Sequence, residues 1–379
     1  MHYFDYNATA PMMPAARDAW AQAMDAHWFN PSSPYLPASS VGVRLDASRE
    51  QLAQALGCSP SCILFNSGAT EGNNAALHHL GRTCPPGKRM LVGALEHPSV
   101  REPAKQLPAD RVEWVGVDAD GVVDAALIKE HLAVGNVHAV SLMAANNETG
   151  VLQPWQEVLD ACHAAGALYH CDAVQWFGKL PCQGLGQVDF LTGCAHKFGG
   201  PKGCGFLKIP DGSSELGFLL GGAQEGGRRA GTQNYPAVAA MMEALRSTIS
   251  ADSFPRDSFE RELTSRIRGA EVVGGNVDRL WNTSLLLLPD FPNTRWVNRL
   301  ARQGFLVSTG SACATAKDGP SHVLAAMGVA SARAARAVRV SSGPLSDVSD
   351  WLALADAFVE VHAALRSDNQ DSASVSIPE

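Results

Sequence analysis

Ala167-Leu168-Tyr169-His170-Cys171-Asp172-Ala173-Val174-Gln175 is an apolar run closed by an acid, and Val188-Asp189-Phe190-Leu191-Thr192-Gly193-Cys194-Ala195-His196-Lys197 is a second run closed by a base. Each is short enough for a buried strand. Each ends in a charge that is costly to bury unless something meets it. Working outward, similar apolar runs occur at Cys62-Ile63-Leu64-Phe65, at Arg89-Met90-Leu91-Val92 and at Ala139-Val140-Ser141-Leu142-Met143. Helical stretches separate them. One, Trp155 to Ala165, carries apolar residues at helical spacing, with Pro154 before it and Gly166 closing it. Strands alternating with helices predict a mostly parallel α/β sheet covered on both faces. In such sheets ligands sit at the carboxyl ends of the strands, so chemistry is expected directly after each run.

The 379 residues are 46% hydrophobic and 18% charged, with a net charge of −8. This is an ordinary globular composition, long enough for roughly two to three domains. A mildly acidic chain without a basic block is a poor nucleic-acid binder. No apolar run approaches the roughly 18 residues of a membrane span. Met1-His2-Tyr3-Phe4-Asp5 does not read as a secretory signal. The nine cysteines include no Cys-x-x-Cys pair, the closest spacing being Cys58 to Cys62. They read as reduced thiols in a cytoplasmic protein, with no metal site. A polar break, Ser250-Ala251-Asp252-Ser253-Phe254-Pro255, marks the main boundary. A large α/β domain is expected over residues 15–250. Residues 1–14 with 251–366 form a smaller α+β domain, and 367–379 a polar, disordered tail.

Three features after the strands combine. Asn66-Ser67-Gly68-Ala69-Thr70-Glu71-Gly72-Asn73-Asn74 offers small residues and a new helix start, a candidate anion cradle. Alone it reads equally as a capped helix. Alone, Asp172 reads equally as a helix cap, and Lys197 reads better as a lysine reaching for solvent. Together, an amine, a buried acid and an anion cradle match the needs of pyridoxal phosphate: a Schiff-base lysine, a carboxylate for the pyridine nitrogen, and a phosphate site.

The sequence then resembles the cysteine desulfurases, within the class V aminotransferase group of fold type I pyridoxal-phosphate enzymes. Asn30-Pro31-Ser32-Ser33, Ser67-Gly68-Ala69-Thr70-Glu71, Asn146-Asn147-Glu148-Thr149-Gly150, Asp172-Ala173-Val174-Gln175, His196-Lys197 and Ser308-Thr309-Gly310-Ser311-Ala312-Cys313 carry the likeness, which runs from Tyr3 to about residue 365. It implies a PLP-dependent transferase fold with a mostly parallel central sheet and a smaller α+β domain. It implies that Lys197 is the Schiff-base lysine, that Asp172 partners the pyridine nitrogen, and that Gln175 and Asn147 contact the ring oxygen and its surroundings. His97 is similar to the histidine that stacks on the ring and moves protons. Ala69, Thr70, Cys194 and His196 fall where the family holds the phosphate. Thr232 matches a threonine that reaches the partner's phosphate, implying a homodimer. Arg339 matches the arginine that clamps the substrate carboxylate, Asn147 lying with it.

By the same resemblance Cys313 is the thiol that accepts sulfur from L-cysteine as a persulfide, releases L-alanine, and passes the sulfur to an acceptor protein for Fe–S cluster, thio-cofactor or tRNA synthesis. Lys317 is a nearby ammonium that favours the thiolate. The sequence departs from the family at Cys194, where serine is usual, at Gln224 and Gly226, where many members have histidine and arginine, and at Pro34-Tyr35-Leu36-Pro37, which lacks the usual histidine. A selenocysteine lyase of the same family, acting on L-selenocysteine, is the alternative. A non-catalytic scaffold or Fe–S-binding homologue is the alternative from another class.

Overall fold

The computed structural model describes every residue except 214–215, 249–251, 311–320 and 375–379, and only the backbone of 370–374. Its strands, in chain order, are β1 (His2–Tyr3), β2 (Ile63–Asn66), β3 (Arg89–Gly93), β4 (Val112–Val115), β5 (Val137–Ser141), β6 (Leu168–Asp172), β7 (Phe190–Cys194), β8 (Gly205–Lys208), β9 (Glu271–Val272), β10 (Thr283–Leu287), β11 (Phe305–Leu306) and β12 (Ala337–Ser341). Seven of them form the central sheet in the order β2-β8-β7-β6-β5-β3-β4. From β7 to β4 every pairing is parallel, and β8 runs antiparallel to both β7 and β2. The mostly parallel α/β sheet expected from the alternating runs is therefore present.

Residue alternation explains why helices cover both faces. Ile63, Phe65, Leu91, Val140, Tyr169 and Leu191 enter one core, with the helices Pro14–Ala26, Leu36–Leu56 and Tyr235–Arg246. Leu64, Met90, Val92, Ala139 and Phe190 enter another, under the helices Ala69–Thr83 and Pro98–Lys105. Successive side chains point to opposite faces, so a strand buried on both must be apolar throughout, as these are.

β10 lies between β9 and β12 in a three-stranded antiparallel sheet. One face packs on the helices Phe254–Arg266 and Val348–Ser374 through Leu286, Val338, Val340, Phe259, Trp351 and Phe358. The other meets Leu95 and Met143, at the tips of the large sheet, through Leu285, Leu287 and Ala337. The N-terminal segment belongs with this unit: Phe4 shares its core, β1 pairs with β11, and the N–H of Tyr6 donates to the carbonyl of Ser341. The C-terminal helix continues to Ser374, past Leu365 where the sequence pattern fades. An ion pair between Arg299 and Asp368 accompanies the extension, so the beginning of the polar tail is helical.

Candidate active site

β6 and β7 are neighbours in parallel register, with Asp172 opposite Thr192. Their carboxyl ends therefore lie side by side, and Lys197 follows β7 by a single 3-10 turn. Asp172 is 6% exposed. Its oxygens accept from Nδ2 of Asn73 at 2.7 Å and from the N–H of Val174 at 3.0 Å. Both donors are neutral, so they hold the carboxylate without cancelling its charge. Nζ of Lys197 donates to the carbonyl oxygens of Asn7 and Ala8, each at 2.8 Å.

His97 ties the two together. It caps the helix Pro98–Lys105, where its Nδ1 accepts from the N–H of Ser99 at 3.2 Å. An accepting Nδ1 places the proton of the neutral ring on Nε2. Burial pulls the imidazole pKa down, with Asp172 raising it and Lys197 lowering it. Acid and amine thus both lie within electrostatic reach of one ring. A polar chain runs beneath it: Nδ1 of His97 meets Oγ of Ser99 at 2.8 Å, and Nδ2 of Asn73 reaches both that oxygen, at 2.9 Å, and Asp172.

The anion cradle assembles around Cys194. Its thiol is buried and donates to the carbonyl of Cys204 at 3.8 Å, and the backbone N–H groups of Ala69 and His196 lie close enough to hold its pKa down against the effect of burial. Gly68, at φ +141°, turns the chain into the helix Ala69–Thr83, and a Cβ there would stand 3.6 Å from the Cys194 sulfur. Thr70 lies exposed on the first turn of that helix. His196 is pushed to about 4, chiefly by burial and then by Lys197 and Lys202, so it serves as a neutral group, hydrogen-bonded to Oγ1 of Thr9 at 3.1 Å. Glu71 grips Arg229 through two bonds of 2.7 and 3.0 Å, fastening the loop that carries Thr232 to the cradle. Thr232 itself is exposed.

Arg339 projects from β12 and is 1% exposed. Its Nη1 donates to the carbonyls of Asn147 and Gly310, each at 3.0 Å, and its Nη2 to Oδ1 of Asp5 at 2.7 Å. The fork expected for a substrate is therefore already paired with Asp5. Nε is the exception: it is buried and has no hydrogen-bond partner among the described residues. Asn147 contributes its backbone carbonyl here, accepting also from Nδ2 of Asn7 at 3.2 Å. Gln175 donates through Nε2 to the carbonyl of Asn7 at 3.1 Å, the same oxygen that holds Lys197.

The structure thus brings together Lys197, Asp172, His97, Gln175, Asn147, Arg339, Cys194, His196 and the cradle at Ala69 and Thr70. Cys313 and Lys317 lie outside the described residues. Lys202 is exposed. Of the eight described cysteines all are free and six are buried, Cys58 and Cys182 being half-buried. Among the described residues no group of His, Cys, Asp or Glu has the arrangement to hold a metal, and no helix is long and apolar enough to cross a membrane. Two residues with evident parts in the site carry no assignment from sequence: Asn7, whose backbone and side chain meet seven partners, and Asn73, which links Asp172 to Ser99. Asn7 sits in the Asp5-Tyr6-Asn7-Ala8-Thr9 stretch and Asn73 in the cradle stretch, so position was available as a signal but role was not.

These residues fit pyridoxal phosphate on their own chemistry. A buried carboxylate held by neutral donors suits a cationic ring nitrogen. An amine held by two backbone carbonyl oxygens at the end of a buried strand suits a Schiff base. Two backbone N–H groups converging beside a helix start suit a phosphate. Comparison with known proteins agrees in kind. The class V aminotransferase family model matches residues 2–350. A cysteine desulfurase from Nostoc sp. is 34% identical over 337 residues, covering 86% of this chain and 84% of its own length. A solved NifS-like protein superposes with a TM-score of 0.86 at 30% identity, covering 96% of this chain and 99% of its own. SspA in complex with cysteine superposes at 0.81 with 28% identity, covering 92% of this chain and all of its own.

Proposed function

The chain belongs to the class V aminotransferase family, and from that premise we propose that it is a pyridoxal-phosphate-dependent cysteine desulfurase that moves sulfur from L-cysteine to Cys313 and releases L-alanine. The observation that carries this reading is the placing of Asp172 and Lys197 at the carboxyl ends of two adjacent parallel strands, with the Lys197 amine and the buried guanidinium of Arg339 sharing the Asn147 and Asn7 network.

The chemistry that pyridoxal phosphate supplies when bound is an electron sink for an amino-acid Cα. Asp172 holds a proton on the ring nitrogen, its second oxygen kept in place by Val174. Lys197 would hold the cofactor through Nζ and would serve as the base for the proton of the substrate Cα. His97, a neutral ring with its proton on Nε2, would lend and recover a proton there. The N–H groups of Ala69 and His196, the Thr70 hydroxyl and the Cys194 thiol orient the phosphate. Arg339 takes the substrate carboxylate on the edge formed by Nε–H and Nη2–H, with Asp5 holding the guanidinium plane. The Cys313 thiolate attacks the substrate sulfur. The Cβ–S bond breaks toward carbon, Cβ takes a proton, and the products are alanine and a persulfide on Cys313.

The assembly is proposed as a homodimer in which Thr232 completes the partner's phosphate site. Its exposure supports this, as do the exposed apolar side chains of Trp28, Tyr35, Leu36 and Leu220 on the same chain. The sulfur acceptor is proposed to be a separate thiol-bearing protein. The deciding experiment incubates the cofactor-loaded protein with L-cysteine and, in parallel, L-selenocysteine. It maps added mass by peptide mass spectrometry. One added sulfur on the Cys313 peptide with stoichiometric alanine is expected, and Cys313→Ser keeps the bound cofactor but gains no sulfur. Turnover confined to L-selenocysteine would overturn the assignment in favour of a lyase. Failure of the protein to take up the cofactor would favour a scaffold.

A further inference from the structure

Lys179 is the one lysine of the Asp172–Lys179 segment, and it is buried although nothing above gives it a task. Its Nζ donates to Oδ1 of Asn7 at 2.8 Å and to Oε1 of Gln175. The backbone around it is fixed from both sides. Gly178 adopts φ +77°, where an added Cβ would collide with Cβ of Phe198 at 2.2 Å, and the carbonyl of Lys179 accepts from the Trp281 indole at 3.0 Å.

The orientation of both amides follows from partners that admit only one assignment. Nδ2 of Asn7 faces the carbonyl of Asn147 and Oγ1 of Thr283, so Oδ1 must face Lys179. Nε2 of Gln175 faces the carbonyl of Asn7, so Oε1 must face Lys179. The lysine therefore gives one N–H to each oxygen, an arrangement that serves a neutral amine and an ammonium alike. Burial lowers its pKa well below the ordinary lysine range, with Lys197 at the end of β7 and Arg339 on β12 adding repulsion.

We propose that Lys179 is a positioning residue: by occupying Oε1 it locks the Gln175 amide with its nitrogen toward the site, so that the second N–H of Nε2 is presented as a donor beside Lys197. The inference rests on the pyridoxal-phosphate reading and deepens it. A donor fixed at that place selects an acceptor, and the acceptor on this cofactor is its ionised ring oxygen. A donor on that oxygen favours its negative charge and disfavours the proton shared with the Lys197 nitrogen. Lys179 thus tunes the cofactor through Gln175 and touches neither cofactor nor substrate.

The test uses the full chain, stripped of cofactor and reloaded with pyridoxal 5'-phosphate. Wild type, Lys179→Met, Gln175→Leu and the double variant are titrated with pH by visible absorbance. Cofactor affinity is measured by quenching of tryptophan fluorescence. Lys179→Met is expected to raise the pH midpoint of the bound chromophore by about one unit and to weaken cofactor binding about tenfold, the usual effect of one lost charge-assisted or buried hydrogen bond. In the Gln175→Leu background the same substitution is expected to change neither, since the route through the amide is already cut. An unchanged midpoint in Lys179→Met overturns the proposal, and so does an equal shift in both backgrounds. Where the single variant does not fold, the double variant decides. It leaves no orphaned atom at the pair, because Oδ1 of Asn7 keeps Nδ2 of Asn282 at 3.3 Å. A midpoint equal to that of Gln175→Leu supports the inference and a different one overturns it. Wild-type protein that binds no cofactor at all overturns the functional reading itself, a separate outcome.

Discussion

At the scale of single residues, the site asks whether each atom can do what its neighbours leave it free to do. Lys197 holds two carbonyl oxygens, which an amine releases at little cost when it forms a covalent link. Borohydride reduction of the loaded protein is expected to fix the cofactor mass on the peptide containing Lys197, and Lys197→Ala is expected to retain none. Label recovered on exposed Lys202 in that variant would mean the wrong amine has been chosen. Cys194 makes a finer case. Burial raises its thiol pKa, so in the proposed phosphate site it would act only as a weak S–H donor, one that the Cys204 carbonyl already engages. A hydroxyl at the same place donates better. Cys194→Ser is expected to tighten cofactor binding several-fold, about 0.5–1.5 kcal/mol for one improved hydrogen bond, read by fluorescence titration. Equal or weaker binding would show that the sulfur is there for packing against Gly68.

At the scale of elements, two strand ends are held close by glycines. Gly72 lets the helix Ala69–Thr83 lie on β7, since a Cβ there would sit 3.0–3.2 Å from Asn66 and Thr192. Gly178 lets the segment carrying Gln175 and Lys179 pass Phe198, the residue after Lys197. Gly178→Ala combines a left-handed backbone with that clash. It is expected to cost about 2–4 kcal/mol in urea unfolding and to weaken cofactor binding by moving Phe198. A stable variant with normal binding would mean the segment relaxes without disturbing Lys197. The same elements show what the sequence discloses. Asp172 and Lys197 are legible because a charge at the end of a buried strand is conspicuous against an apolar run. Their adjacency follows from the parallel β6–β7 pairing. β8 is not legible: four residues behind a glycine-rich loop, antiparallel among parallel neighbours, give no periodicity to read. Nor is the role of Asn7, whose contacts with Thr283 and Asn282 span some 275 residues and act partly through a backbone carbonyl that no side-chain pattern records. The pairing of Arg339 with Asp5 escapes notice for the same reason.

At the scale of the whole molecule, buried ionisable groups around the site set how stability answers to pH. Glu96, next to His97, is fully buried. Its Oε1 accepts from the N–H of Met143 at 2.5 Å, and its Oε2 has no partner among the described residues. Burial, then repulsion from Asp172, raises it from 4.5 to about 8. The folded state therefore keeps this proton while the unfolded chain releases it. The contribution of this proton is fully retained below pH 4.5 and falls, by about 1.4 kcal/mol per pH unit, until pH passes 8. His170 works the other way. It is buried between Ser141 and Asn73 and lowered by burial from 6.5 to about 3, so stability is intact above 6.5 and is lost as pH falls toward 3. His196 and His322, both lowered to about 4, add to the acid side. Over the overlap the opposing slopes offset one another; from pH 6.5 to 8 Glu96 lowers stability as pH rises, and Lys179, held well below the ordinary lysine range, opposes it, so the Glu96 part is read as the difference from Glu96→Gln. Glu96→Gln keeps an acceptor for Met143 and removes the titration. It is expected to be more stable than wild type by an amount that is negligible near pH 4.5 and grows to on the order of 4 kcal/mol at pH 8, measured by urea midpoints at half-unit intervals on identically prepared protein. A stability difference that stays constant across that range would show that Glu96 is already ionised in the fold, and that its charge is met by a group other than the Met143 amide.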